Sequence, residues 1–362
     1  LPEEMKNPSR GETFFVLLMI IALALTACNI ILTAFVSLMH HDLLPMHATE
    51  GVSVNSFESR PTDRKRDSRT FHTAVTADGS VYNTWQCRVM YYWYMKNRGA
   101  DMGGFTRILH SGHADHFVDE MPTFVAQPLP AGVDEGYVVL NRPWGLQQWL
   151  EQADIKEDYI WMAEPDHLIV KPIPNLARQG RGAAFRFHYI DPERNEHILA
   201  RNFPDRKLPV TKVHPVGNSP VIIEKAALKK IVPTWVNISL SMKRDKEADK
   251  AFGWVLEMYA YAMASAYHGT KYFLQKNFMI QPPWETEVGN SFIIHYTFGC
   301  DYDLKGNFTP GKIGEWRFDK RSYDLVPLPK NLPLPPQGVP QSVVTMIRMF
   351  NEATANIPNW YS

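Results

Sequence analysis

Hydrophobic positions fall into two arrangements along this chain: one unbroken run, and after it short apolar runs set between longer periodic stretches. The unbroken run is residues 13–39, 27 positions without a charged side chain. As a helix rising about 1.5 Å per residue it would reach roughly 40 Å, enough to cross a hydrocarbon layer of about 30 Å with tilt. A cleaved leader would have a shorter apolar core and a small-residue cleavage site. The run is therefore read as a single transmembrane signal anchor, with residues 1–12 as a cytoplasmic tail. Lys6 and Arg10 are offset by Glu3, Glu4 and Glu12, so the orientation rests on the long body that follows, expected to be lumenal.

Residues 40–70 are polar, hold Arg64-Lys65-Arg66 and show neither helical nor strand period, as expected of a stem. The body, residues 71–325, then alternates. Strands are expected at 71–77, 106–110, 123–126 and 159–163, with helices at 82–97 and from Pro143 onward. Further strands follow at 183–187, 221–224 and 292–296, with one long helix over 245–267. Such alternation predicts an α/β fold built on a mostly parallel sheet flanked by helices, with ligands beyond the carboxyl ends of its strands. Residues 326–362 make a Pro-rich strap, with six prolines between 326 and 340, followed by a short amphipathic helix over 342–353. No internal repeat and no Gly-rich phosphate loop is present.

Composition narrows the function. Lys plus Arg equals Asp plus Glu at 38 each, so no field favours nucleic acid as a partner. The ten tryptophans offer flat faces suited to sugar rings or bases. Two sequons, at Asn237 and Asn307, would be N-glycosylation acceptors if the body is lumenal. Cys28 lies in the anchor, leaving Cys87 and Cys300 either as a disulfide or as two buried thiols.

The clearest chemistry is Tyr159-Ile-Trp-Met-Ala-Glu-Pro-Asp-His167, an apolar strand ending in two carboxylates. Glu164 and Asp166 stand two apart on extended backbone and so share a side, with Pro165 holding the bend. Paired acids at a strand tip suit a hard divalent cation, Mn2+ or Mg2+, gripping a diphosphate. A plain strand-ending turn is the competing reading, because Asp245/Glu247, Glu247/Asp249, Glu285/Glu287 and Asp301/Asp303 share the spacing. Only the first pair closes an apolar strand. His295, in Phe292-Ile-Ile-His-Tyr296, is either a core histidine or a third metal ligand from a distant strand. Glu257 is the one charged side chain between Lys250 and His268. It would act as a catalytic carboxylate or sit in a buried ion pair. Arg142, Lys320 and Arg321 are candidates for the donor's phosphates, with ordinary surface charge as the alternative.

At this point a resemblance can be stated. The chain resembles the plant hydroxyproline O-arabinosyltransferases through Trp85-Gln-Cys-Arg-Val-Met-Tyr-Tyr-Trp-Tyr94, Gly103-Gly-Phe-Thr-Arg-Ile-Leu-His-Ser-Gly112 and Tyr137-Val-Val-Leu-Asn-Arg-Pro-Trp144. Met162-Ala-Glu-Pro-Asp-His167, Val216-Gly-Asn-Ser-Pro220, Gly253-Trp-Val-Leu-Glu-Met258, Ile294-His-Tyr-Thr-Phe-Gly-Cys-Asp301 and Gly314-Glu-Trp-Arg-Phe-Asp-Lys-Arg321 extend it over residues 71–323. The resemblance implies a single-pass type II Golgi membrane protein with a GT-A-like domain. Its expected activity is retaining, metal-dependent transfer of L-arabinofuranose from UDP-β-L-arabinofuranose to hydroxyproline of secreted peptides and cell-wall glycoproteins. It also implies Glu164 and Asp166 as the metal site. The turn Thr76-Ala-Asp-Gly-Ser-Val81 departs from the family's Asp-Ala-Pro-like pattern, which bears on the donor contacts expected at Thr76 and Asp78 and on sugar choice. A peptidyl-serine galactosyltransferase and a noncatalytic Golgi carbohydrate-binding scaffold remain as alternatives.

Overall fold

The computed structural model describes residues 69–207 and 210–361. The expected tail, anchor and most of the stem lie outside them; among the described residues no helix is long and apolar enough to cross a membrane. In chain order the body runs β1 (Phe71–Ala77), α1 (Val81–Lys96), β2 (Met102–Leu109), β3 (Thr123–Val125), α2 (Asn141–Gln152) and β4 (Tyr159–Ala163). It continues through β5 (His167–Ile169), β6 (Gly182–Arg186), α3 (Glu196–Asn202), β7 (Val216–Glu224), α4 (Lys225–Arg244), α5 (Lys246–Phe252) and α6 (Leu256–Tyr267). Then come β8 (Tyr272–Leu274), β9 (Met279–Ile280), β10 (Ile293–His295), β11 (Cys300–Tyr302), β12 (Trp316–Phe318) and α7 (Gln341–Asn356).

Seven strands form the main sheet in the order β3-β2-β1-β4-β7-β6-β8. β1 and β4 are buried almost throughout because helices cover both faces of the sheet, the situation in which a strand needs no polar alternation. The sheet is mixed rather than simply parallel: β7 pairs antiparallel with both β4 and β6, while the other pairings within it are parallel.

Two helices differ from the sequence reading. α4, 20 residues long, is absent from the elements read from the sequence; it accommodates Pro233, and its face holding Leu228, Ile231, Trp235 and Ile238 is buried. Asn237 projects outward from α4, whereas Ser239 of its sequon is fully buried. The single helix expected over 245–267 is instead α5 and α6, broken at Gly253 (φ +47°, ψ −121°). Glycine reaches that backbone conformation and side-chain-bearing residues resist it. The break turns Trp254 outward and Glu257 inward, with exposures of 72% and 1%.

Beyond β12 the strap is held by side chains, as an extended chain without internal hydrogen bonds requires. The indoles of Trp85, Trp316 and Trp360 donate to the carbonyls of Tyr323, Pro333 and Leu328 at 2.9, 3.1 and 2.6 Å. Asn351 of α7 brackets the Leu332 backbone at 2.6 and 2.8 Å. Buried Arg88 of α1 reaches the carbonyls of Trp360 and Pro358 at 2.8 Å each.

Cys87 and Cys300 are unbonded and fully buried, the first on α1 and the second on β11. Of the two sequence readings the disulfide is thus set aside. Burial pushes both thiols up to about 12, so they act as small apolar groups. Asn307 is exposed in the turn after β11, its amide donating to Asp303 at 2.8 Å.

Gly314 gives a direct test of the β11–β12 pairing. A Cβ there would stand 2.4 Å from the Tyr302 nitrogen and 2.7 Å from the Trp316 oxygen, both backbone atoms that cannot step aside. Gly314→Ala is expected to destabilise the body by about 2 kcal/mol, read as a lower denaturant midpoint. An unchanged midpoint would mean that this approach is not close in solution.

Candidate active site

β4 delivers its carboxylates where the sheet ends, and a second small sheet closes on them. β5 pairs antiparallel with β10, with His167 opposite His295. That register is the reason a residue 129 positions away meets Asp166: His295 Nε2 lies 3.1 Å from Asp166 Oδ2 and 3.6 Å from Glu164 Oε2. Gln281, at the end of β9, faces His295 Nδ1 at 3.2 Å and orients the ring. One ligand atom each from Glu164, Asp166, His167 and His295 lies within 4.8 Å of the others.

The electrostatics suit a cation. Burial alone would raise the Asp166 carboxyl, but His295 and Lys320 hold it well below the usual carboxylate range. The Lys320 ammonium sits directly on Asp166 Oδ2, a positive charge where a divalent ion would be welcome. His167 is fully buried and, with burial and His295 disfavouring its charge, stays neutral. Its Nε2 has no hydrogen-bond partner. Two carboxylates with two imidazoles make a donor set of hard to borderline character, which fits Mn2+ or Mg2+.

Arg142, in the first turn of α2, joins this group to Glu257. Its Nη1 is 2.6 Å from Glu164 Oε1 and 2.7 Å from Glu257 Oε1. Burial pushes the Glu257 carboxyl up to about 7, and Arg142 keeps it from rising further. With its amide turned as these neighbours require, Asn218 of β7 donates to Glu257 Oε2 at 3.3 Å and accepts from Arg142 at 3.2 Å.

Across the opening, β1 ends at the turn holding Asp78. Its Oδ1 accepts from the Ser80 nitrogen at 2.9 Å and from Asn83 Nδ2 at 2.7 Å, together with the Ser80 hydroxyl. Burial would raise this carboxyl, but those hydrogen bonds outweigh it and hold it low. Asp78 thereby fixes the start of α1. His110, just past β2, is pushed down to about 4 by burial and stands neutral at the wall.

All nine candidates that sequence reading named for metal, donor or catalysis (Thr76, Asp78, Arg142, Glu164, Asp166, Glu257, His295, Lys320 and Arg321) line one cavity of about 830 Å³. Lys320 is buried, whereas Arg321 is more exposed and donates to Thr297 O at 2.9 Å and Asp319 Oδ1 at 3.2 Å. The other evenly spaced acids have local duties. Asp245 caps α5, Asp301 accepts from the Gly314 nitrogen at 2.9 Å, and Glu285 accepts from the Gln281 nitrogen at 2.9 Å. Sequence reading missed His167, Gln281, Asn218 and His110. His110 was within reach of the strand-end rule, and His167 of its place beside Asp166; Gln281 and Asn218 become visible only with the pairing of β10 and β7.

Residues 71–274 match the profile of the hydroxyproline O-arabinosyltransferase family N-terminal domain, and residues 292–361 that of its C-terminal domain. Hydroxyproline O-arabinosyltransferase 1 of Arabidopsis thaliana is 61% identical over 364 residues, covering 97% of this chain and 99% of that protein. A peptidyl serine alpha-galactosyltransferase of the same plant is 24% identical over 279 residues, 70% of this chain and 32% of that protein. Among solved structures, a glycosyltransferase involved in glycosylation of the PBCV-1 major capsid covers 63% of this chain and is itself covered to 94%, with a TM-score of 0.39 and 12% identity.

Proposed function

Because this chain belongs to the hydroxyproline O-arabinosyltransferase family, we propose that its cavity moves L-arabinofuranose from a UDP-sugar onto a hydroxyproline hydroxyl with retention at the anomeric carbon. The observation that carries the reading is the convergence of the Glu164/Asp166/His295 group and the Arg142–Glu257 pair on one cavity. In the transfer the bond from the anomeric carbon to the diphosphate breaks and a bond from the hydroxyproline oxygen forms on the same face. The hydroxyl proton passes to the departing diphosphate oxygen.

Glu164, Asp166 and His295, with His167 at hand, would hold a divalent cation. Such an ion, when bound, neutralises charge developing on the leaving diphosphate. Arg142 and Lys320 add fixed positive charge on the same wall, already oriented by their carboxylate partners. Glu257, buried and held by Arg142 and Asn218, stabilises positive charge on the sugar when ionised. Asp78 and Thr76 stand across the opening, suited to the nucleotide. On this reading the cleft works in the Golgi lumen behind an anchor made by residues 13–39, which the length and lack of charge of that run support.

Mass spectrometry of a hydroxyproline peptide incubated with the full chain, manganese and a panel of UDP-sugars tests the proposal. The expected product gains one pentose from the arabinofuranosyl donor only. Hexose addition to a serine peptide, or no addition from any donor, would overturn it.

A further inference from the structure

Of the ten tryptophans only Trp254 and Trp284 are exposed, at 72% and 59%. An indole left in water forgoes a large burial gain; Trp254 lines the cavity described above, and Trp284 stands one side chain behind its wall. Trp254 lines it together with exposed Val138 and Tyr189. Trp284 packs edge-on against Phe298, another lining residue, with ring centroids 6.0 Å apart. Trp254 is firmly mounted: its carbonyl accepts from the Tyr137 hydroxyl at 2.7 Å, its ring meets that of Tyr137 edge-on, and Gly253 sets the backbone turn. These rim side chains are uncharged, whereas the cavity floor carries the carboxylates and cations described above.

Resting on the proposed function, we infer that this aromatic rim is the docking surface for a polyproline II segment flanking the hydroxyproline to be modified. A proline-rich segment has few backbone N–H groups, so it is poorly suited to joining a sheet edge. It presents instead flat rings repeating about every 9 Å, three residues at 3.1 Å each, and loses little entropy on binding. Rigid aromatic faces without charge are the surface that accepts it. Trp254, Tyr189 and Phe298 line the catalytic cavity itself, so a segment docked on them feeds its hydroxyl toward the Arg142–Glu257 end.

The test uses the full chain and two acceptor peptides with one hydroxyproline each, flanked by prolines in one and by glycine and serine in the other. Calorimetry with an oligoproline lacking any hydroxyl runs in parallel. Wild type is expected to favour the proline-flanked acceptor about tenfold in kcat/KM, through KM, and to bind the oligoproline. Trp254→Ala and Trp284→Ala should each reduce that preference at least threefold and weaken oligoproline binding, with Trp254→Phe restoring most of it. Equal use of the two acceptors by wild type, or oligoproline binding indifferent to both tryptophans, overturns the inference. If wild type modifies neither acceptor yet binds oligoproline through Trp254, the rim stands and the proposed chemistry falls.

Discussion

Glu164→Ala and Asp166→Ala are each expected to lower transfer by about a thousandfold, equivalent to roughly 4 kcal/mol of transition-state stabilisation. Chelation of the wild-type protein should do the same, with manganese restoring it. The two variants should differ in stability. Glu164 is partly exposed, and Arg142 keeps Glu257 when it is removed. Asp166 is buried against Lys320 and His295, so its loss strands a buried ammonium at about 3 kcal/mol or more. Thermal unfolding should therefore show Asp166→Ala well below Glu164→Ala. Transfer surviving chelation and both substitutions within twofold would remove the metal from the account.

The second expectation concerns Glu257→Gln, which should reduce kcat about a hundredfold by deleting the negative charge beside the sugar. Its pH behaviour gives an independent check. The folded protein keeps a proton on Glu257 up to about pH 7, whereas an unfolded glutamate releases it near 4.5. Stability from this group is thus greatest below 4.5 and is lost as pH rises toward 7, by roughly 3 kcal/mol. Between those pH values the wild-type denaturant midpoint should fall relative to that of Glu257→Gln, because buried His110 and His167 add the same opposing rise to both proteins. Activity should run the other way, rising through about pH 7 as the carboxylate ionises. A variant with wild-type kcat would show that Glu257 serves only as the partner of Arg142.

How much of this was legible beforehand depended on whether the signal was local. β1 and β4 announced themselves as apolar runs, and the Glu164/Asp166 pair could be placed because it closes the second of them. Glu257 stood out because burying a lone carboxylate in an apolar helix demands a partner, and Arg142 is that partner. What stayed hidden depends on pairing or on single-residue backbone geometry. Gly253 gave no hint of its φ, so one helix was read where two exist. The reversal of β7 and the meeting of His167 with His295 are both matters of strand pairing. Cys87 and Cys300 illustrate the converse: composition allowed a bond or two core thiols, and only packing decides.

The Arg88 contacts reach furthest in consequence. This guanidinium, on the first described helix, is satisfied by Glu120 together with carbonyls at residues 358–360. A nascent polypeptide can pair that charge with Glu120 early, but its remaining hydrogen bonds wait for the far end of the chain, 272 positions on at Trp360. Final consolidation of the body must therefore await synthesis of its far end. Removing residues 358–361 should therefore injure yield more than their distance from the cavity would suggest.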